Sequence, residues 1–223
     1  AILSRVGKWV SFHALGYDSR GFAICSRRAA QSEARSYFLN TLRPGDIIPA
    51  VVQNATPFGV FCDIGCGYTA LMRIERCCIS RLKTTAELFH TGQQIHVAVL
   101  SVDDSQGLIH LTGRELLGTW EENASLFRPG QTVPGFVRSI MPYGVFIELT
   151  PNLSGLAELT GAVSEGYQVS AYIRSIQSER HKLKLTVLER LSECIPVHLN
   201  YFHTGGHMDR WAYYPGSSAV TYF

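Results

Sequence analysis

The sequence predicts an all-β protein built of tandem, small, five-stranded barrels joined by short helical linkers. Three observations carry that prediction. The chain repeats itself, each repeat is made of short β-branched and apolar runs, and Gly-marked turns separate those runs.

The repeat comes first because it fixes the units. RPGDIIPAVVQNATPFGVFCDIG from Arg43 returns as RPGQTVPGFVRSIMPYGVFIELT from Arg128, an offset of 85 residues. Pro57-Phe58-Gly59-Val60-Phe61 matches Pro142-Tyr143-Gly144-Val145-Phe146, and Leu71 matches Leu156 without a gap. A second block follows in each copy, TGQQIHVAVLSVDDSQGLIHLT from Thr91 and EGYQVSAYIRSIQSERHKLKLT from Glu165, at an offset of 74. The intervening segment has changed length, as a surface loop tolerates. The second block occurs a third time as VGKWVSFHALGYDSRGFAICS from Val6, and no first block precedes it. The expectation is two whole units and the C-terminal part of a third, cut from a longer parent protein that lacks its initiator Met here.

Within a unit the strands follow in order. Ile47 to Asn54 and Val133 to Ile140 are β-branched with partial alternation. Val60 to Ile64 and Val145 to Leu149 each follow a Pro-aromatic-Gly turn. Tyr68 to Met72 supplies a third strand. Gln94 to Val102 and Leu108 to Thr112 form a hairpin across Asp103-Asp104-Ser105-Gln106-Gly107. Five short antiparallel strands with Gly at a corner suit a small, partly open barrel.

Helical spacing links the units. Ala30, Ala34, Phe38 and Leu42 recur on one face, as do Leu116, Trp120, Ala124 and Phe127, and each run stops at Arg-Pro-Gly. Trp120 and Phe127 are expected in a core. The predicted boundaries are 1–28 for the partial unit, 29–42 for a helical linker and 43–113 for the first barrel. A second linker over 114–127, a second barrel over 128–190 and an aromatic-rich extension over 191–223 complete the chain. The extension is expected to cover the last barrel, with Thr204-Gly205-Gly206 turning a hairpin.

Composition narrows the function. Twenty Lys and Arg against 18 Asp and Glu give a net charge of +2, so any anion site must be local. No apolar run reaches the roughly 18 residues of a membrane span, and the N-terminus has no signal-peptide pattern. Six cysteines, Cys25, Cys62, Cys66, Cys77, Cys78 and Cys194, show no common zinc spacing. They are expected as reduced thiols of a cytoplasmic protein, with no metal and no cofactor. Phosphate-loop, nucleophile-elbow and HExxH motifs are missing, so the protein is not read as an enzyme. Asp103 and Asp104 suit a turn, and Glu121 and Glu122 a solvated helix face.

These residues resemble the S1 RNA-binding domain family, typified by bacterial ribosomal protein S1. The resemblance rests on Gly45, Phe58-Gly59-Val60-Phe61-Cys62-Asp63, Leu71, Gly92, Val102-Asp103 and Leu111-Thr112. In the second unit it rests on Gly130, Tyr143-Gly144-Val145-Phe146-Ile147-Glu148, Gly155-Leu156, Gly166 and Leu185-Thr186. It implies OB-fold barrels of the S1 type, and single-stranded RNA stacked on Phe58, Phe61, Tyr143 and Phe146. It also implies a role in translation or RNA metabolism, with ribosomal or RNA-processing proteins as further partners. Rings accept any unpaired base, which suits unstructured RNA.

Cations should track the phosphates. Alternation sets Arg180, Lys182 and Lys184 on one face and Leu183 and Leu185 in the barrel, and points Arg138 outward. The first unit has Leu108 and His110 in place of Lys182 and Lys184, and Gln53 in place of Arg138. Its cations are Arg73, Arg76, Arg81 and Lys83, with Arg73 where the family often has His. Glu158 holds that place in the second unit and puts its phosphate site in doubt. Two alternatives stay open: a protein-interaction scaffold with degenerate barrels, and an RNA-binding accessory segment of a larger nuclease.

Overall fold

The computed structural model describes residues 10–159, 163–193 and 195–223. Strands β1 (His13–Tyr17) and β2 (Ala23–Ser26) form a hairpin that runs into helix α1 (Arg27–Thr41). A closed barrel follows, made of β3 (Ile47–Thr56), β4 (Gly59–Asp63), β5 (Thr69–Arg73), β6 (Gln94–Asp103) and β7 (Leu108–Thr112). Helix α2 (Trp120–Ala124) leads to a second closed barrel of β8 (Thr132–Met141), β9 (Gly144–Thr150), β10 (Leu153–Ala157), β11 (Gln168–Gln177) and β12 (Lys182–Arg190). The tail ends in a small hairpin of β13 (Arg210–Ala212) and β14 (Val220–Tyr222).

Each barrel closes in the same way. Its third strand pairs in parallel with its fifth, Leu71 with His110 and Leu156 with Lys184, while the other ladders are antiparallel. The inward faces are apolar and sealed: Val60, Met72, Val97, Val99 and Leu111 in one, Val145, Ile147, Val169, Ile173 and Leu185 in the other. Glycine is required where the aromatic turn enters each second strand. A Cβ on Gly59 would lie 2.7 Å from the Met72 carbonyl oxygen, and one on Gly144 would lie 2.5 Å from that of Ala157. Two crossing backbones therefore fix the glycine of the repeated motif.

Helix α1 begins with the Ser26 hydroxyl accepting from the Ala29 N–H and sets Phe38, Leu39 and Leu42 against the first barrel. The expected second linker helix shrinks to five residues. Thr119 and Glu122 form its capping box, which starts the helix well after Leu116. Leu116 and Leu117 lie buried ahead of it, and Trp120 and Ala124 enter the second core. Glu122 is therefore a cap and Glu121 a partner of His181 (2.8 Å), rather than a purely solvated pair.

The barrels are bolted together by buried polar groups. Asn152 is fully buried; its amide nitrogen donates to the carbonyls of Arg114 and Gly118 (both 2.7 Å), and its Oδ1 accepts from the Ile79 N–H (3.0 Å). Glu115, equally buried, accepts from Arg114 Nε (2.9 Å), from Thr221 Oγ1 (2.5 Å) and from the Thr112 hydroxyl. Such groups tolerate burial because each of their polar atoms finds a hydrogen-bond partner.

The tail departs from expectation. It lies on both barrels, with Val197, Leu199 and Tyr201 on the first core and Trp211 and Tyr213 in the second. Thr204-Gly205-Gly206 turns no hairpin; the Gly206 carbonyl instead accepts from the Ile47 N–H at the start of β3 (3.0 Å). His207 Nδ1 then meets Asp46 Oδ1 at 2.8 Å. Cys194 and the start of the third copy at Val6 lie outside the described residues. Burial pushes the Cys62 thiol up to about 12 and also raises those of Cys77 and Cys78, while Cys25 and Cys66 are exposed.

Candidate nucleic-acid interface

Strand register builds one continuous row across the outside of each barrel. In the first, Asn54, Phe61, Leu71, His110 and Ser101 are successive cross-strand neighbours. In the second, the row is Ser139, Phe146, Leu156, Lys184 and Ser175. Each member stands at the repeat-equivalent position of its counterpart. The same β-bulges, after Val52 and Val99 in one barrel and after Val137 and Ile173 in the other, bring them into line. Residues of one row share one face, and two strand spacings set Phe61 about 10 Å from His110.

A second ring stands beside each row. Phe58 meets Phe61 edge to face at 5.9 Å and 87°, and Tyr143 meets Phe146 at 6.2 Å and 88°. The outer rings are bare, Phe58 at 57% and Tyr143 at 67% of full exposure, while the inner ones are half-buried. Each pair thus presents a wall and a floor at right angles, held by contact between its own rings.

The cations sort differently from the sequence expectation. Lys182 and Lys184 are exposed on β12, Arg73 is exposed at the end of β5, and His110 is half-buried in the row. Arg180 leaves the set, because Ser178–Arg180 is a 3₁₀ turn and His181 takes a left-handed φ of 49° before the strand begins. Arg76 is drawn to Thr221 and Glu115, and Lys83 to Glu165 at 3.1 Å.

Arg138 must be corrected outright. It occupies the bulge of β8, and its side chain is only 9% exposed. Nε and Nη2 each donate to Glu148 at 2.8 Å, Nη1 donates to Glu87 of the first barrel, and the guanidinium lies 4.4 Å from the Phe136 ring centre. Burial opposes its charge, but the two carboxylates prevail and hold the guanidinium protonated more firmly than usual. Arg138 points away from its own barrel, as alternation requires, but the first barrel covers that surface. It is an inter-barrel tie, buried and committed to two carboxylates rather than offered to phosphate.

One cation escaped the sequence reading. Arg174 fills the bulge beside Ser175, is exposed, and pairs with Glu158 at 2.8 Å. Its repeat counterpart is Leu100, so the repeat gave no charge signal there. The Glu158 carboxylate, which put the second site in doubt, is thereby neutralised. Among the described residues, no cluster of three His, Cys, Asp or Glu is placed to hold a metal ion.

Two closed five-stranded barrels carrying the same aromatic row define a tandem OB-type protein. Residues 42–112 match the family model described as the RRP5 S1 domain. The "Small ribosomal subunit protein bS1 homolog" of Bacillus subtilis is 26% identical over 200 residues, covering 82% of this chain and 52% of that protein. The "Small ribosomal subunit protein bS1" of Chlamydia trachomatis is 27% identical over 198 residues, covering 81% and 35%. The match over residues 42–112 and these relatives support an S1-domain family for this chain, which spans between about a third and a half of the length of those relatives. A solved multidomain protein with nucleic acid binding domains from Streptococcus pneumoniae aligns over 80% of this chain and 60% of its own. Its identity to this chain is 17% and its TM-score 0.34.

Proposed function

We propose that this chain holds single-stranded RNA without catalysing a reaction, on one aromatic row per barrel. The observation that carries the reading is the repetition of the row. Phe58, Phe61 and His110 on one barrel, and Tyr143, Phe146 and Lys184 on the other, occupy matching positions; Phe58, Tyr143 and Lys184 are exposed and the other three half-buried. A base stacks against the exposed ring of each pair, while Arg73, Lys182 and Lys184 face the phosphates. The ribosomal names of its relatives support a role in translation or RNA metabolism, beside ribosomal or RNA-processing proteins.

Buried ties hold the two barrels together, so a strand bound to one row raises the effective concentration of RNA at the other. The test is titration of unstructured and double-stranded RNA at two salt concentrations. The expected result is preference for the single strand and an affinity that falls as salt rises. A specific observation keeps a protein-binding scaffold as the second reading: Arg76 and Lys83 of the first barrel and Arg138 of the second are all spent on carboxylates, leaving the two barrels few free cations. Absence of any RNA complex at low salt would favour that scaffold.

A further inference from the structure

The seam between the barrels carries polar groups that the buried ties leave unused. Residues 79–83 of the first barrel run along the second. The Ile79 N–H donates to Asn152 Oδ1 and the Ser80 N–H to the Pro151 carbonyl (both 3.0 Å), and the Ser80 and Ser154 hydroxyls pair at 3.2 Å. Lys83 then reaches Glu165, whose other oxygen accepts from the Ile140 N–H at 3.2 Å.

Ser154 lies on the same strand as Leu156 of the second aromatic row. Alternation turns both side chains outward, and two residues span about 7 Å of strand. Strand β10 runs parallel to β12, with Leu156 level with Lys184 and Ala157 with Leu185. Gly155 faces inward between them, where a Cβ would meet the Leu183 and Leu185 side chains. The register therefore sets Ser154 level with Lys182, one strand spacing of about 4.8 Å away.

Arg81 directly follows Ser80. It is exposed, and among the described residues no carboxylate pairs with it, whereas Arg76 and Arg114 are held by Glu115 and Lys83 by Glu165. A groove of about 490 Å³ opens there, bordered by Ile79, Ser80, Arg81, Arg114 and Ala219, with Glu75 as the one carboxylate on its rim. When two hydroxyls pair, one donates and the other accepts, so one proton stays free for a ligand oxygen.

We infer that the seam is a phosphate seat of the second barrel's RNA surface built by both barrels, Ser80 and Arg81 from the first and Ser154 and Lys182 from the second. The inference rests on the stacking function proposed above. By sequence Arg81 counts with the first unit, whose own row crosses β5 and β7 at Leu71 and His110. In space the serine beside it is bonded to β10, level with a lysine of β12. Arg81 thus supplies the second row with the cation that Arg138, committed to Glu87 and Glu148, does not.

The test isolates each row in the full chain. The probe is a labelled single-stranded RNA of roughly 8 nucleotides, short enough for one barrel. In the Phe58→Ala background binding runs through the second row. There, Arg81→Ala should raise Kd about fivefold, the worth of one exposed charge contact, and flatten the slope of log K against log salt by about 0.7. Arg81→Lys, which keeps the charge, should keep the slope. In the Tyr143→Ala background, where the second row is disabled, the penalty of Arg81→Ala should shrink to under about twofold. Thermal melting of each variant checks that the fold holds. Equal penalties in the two backgrounds make Arg81 a contact of its own barrel and overturn the seam, as does no penalty in either. A parent chain that binds no RNA overturns the seam and the stacking function together.

Discussion

Removing the two outer rings together, Phe58→Ala with Tyr143→Ala, tests the aromatic rows directly. Each ring is more than half exposed, so it contributes little to folding; substitutions at such sites shift stability within about 0.5 kcal/mol. Each ring is also the free member of a right-angled pair, so a base can lie against it without displacing Phe61 or Phe146. Truncating one stacking ring costs about 1–3 kcal/mol per base. Two rings on separate barrels, each meeting its own base, lose roughly 2–6 kcal/mol, an approximately 30-fold to 20,000-fold rise in Kd. The assay is fluorescence anisotropy with a labelled, unstructured RNA of roughly 20–30 nucleotides, long enough for two barrels of this type. Thermal melting of both proteins runs alongside. A Kd within about threefold of the parent value, with melting unchanged, would refute the stacking surface and leave the cations to account for any binding.

Three further outcomes are expected. Lys182→Ala with Lys184→Ala removes two phosphate contacts, so the slope of log K against log salt should flatten by about 1.4, at about 0.7 per contact on a single strand; an unchanged slope places the RNA elsewhere. Arg138→Met leaves Glu148 buried without its partner and should cost about 3–5 kcal/mol in urea unfolding while RNA affinity at matched folded fraction holds. Lost affinity at intact stability would instead restore Arg138 as a phosphate contact. His207 is raised above its usual range by its hydrogen bond to Asp46, with Asp209 adding to the effect. For Asp46, burial works against ionisation, but bonds from the Arg43 N–H and from His207 prevail and lower it. The pair therefore stabilises the tail between the acid range, where Asp46 protonates, and neutral pH, where His207 discharges. Melting temperatures of the parent and of His207→Gln should differ more at pH 6 than at pH 8, and a difference independent of pH would discount the pair.

The sequence by itself determined the repeating unit, its strands and the rings. Period-two alternation seals Val60 and exposes Phe61, and the aromatic-Gly turn returns wherever a strand crosses another too closely for a Cβ. These are local rules, and both copies obey them. Tertiary structure decided which outward side chains meet solvent. Arg138 and Lys184 both point away from their barrel's core, yet the first is covered by Glu87 of the neighbouring barrel and the second is open. The β-bulges shifted register by a residue, a step that alternation cannot foresee, and brought Arg174 to Glu158. The tail's course over both barrels likewise depends on surfaces that exist only once the barrels stand side by side. Sequence pattern specifies the two faces of a strand; the assembly of units specifies what each face touches, because burial belongs to the whole molecule.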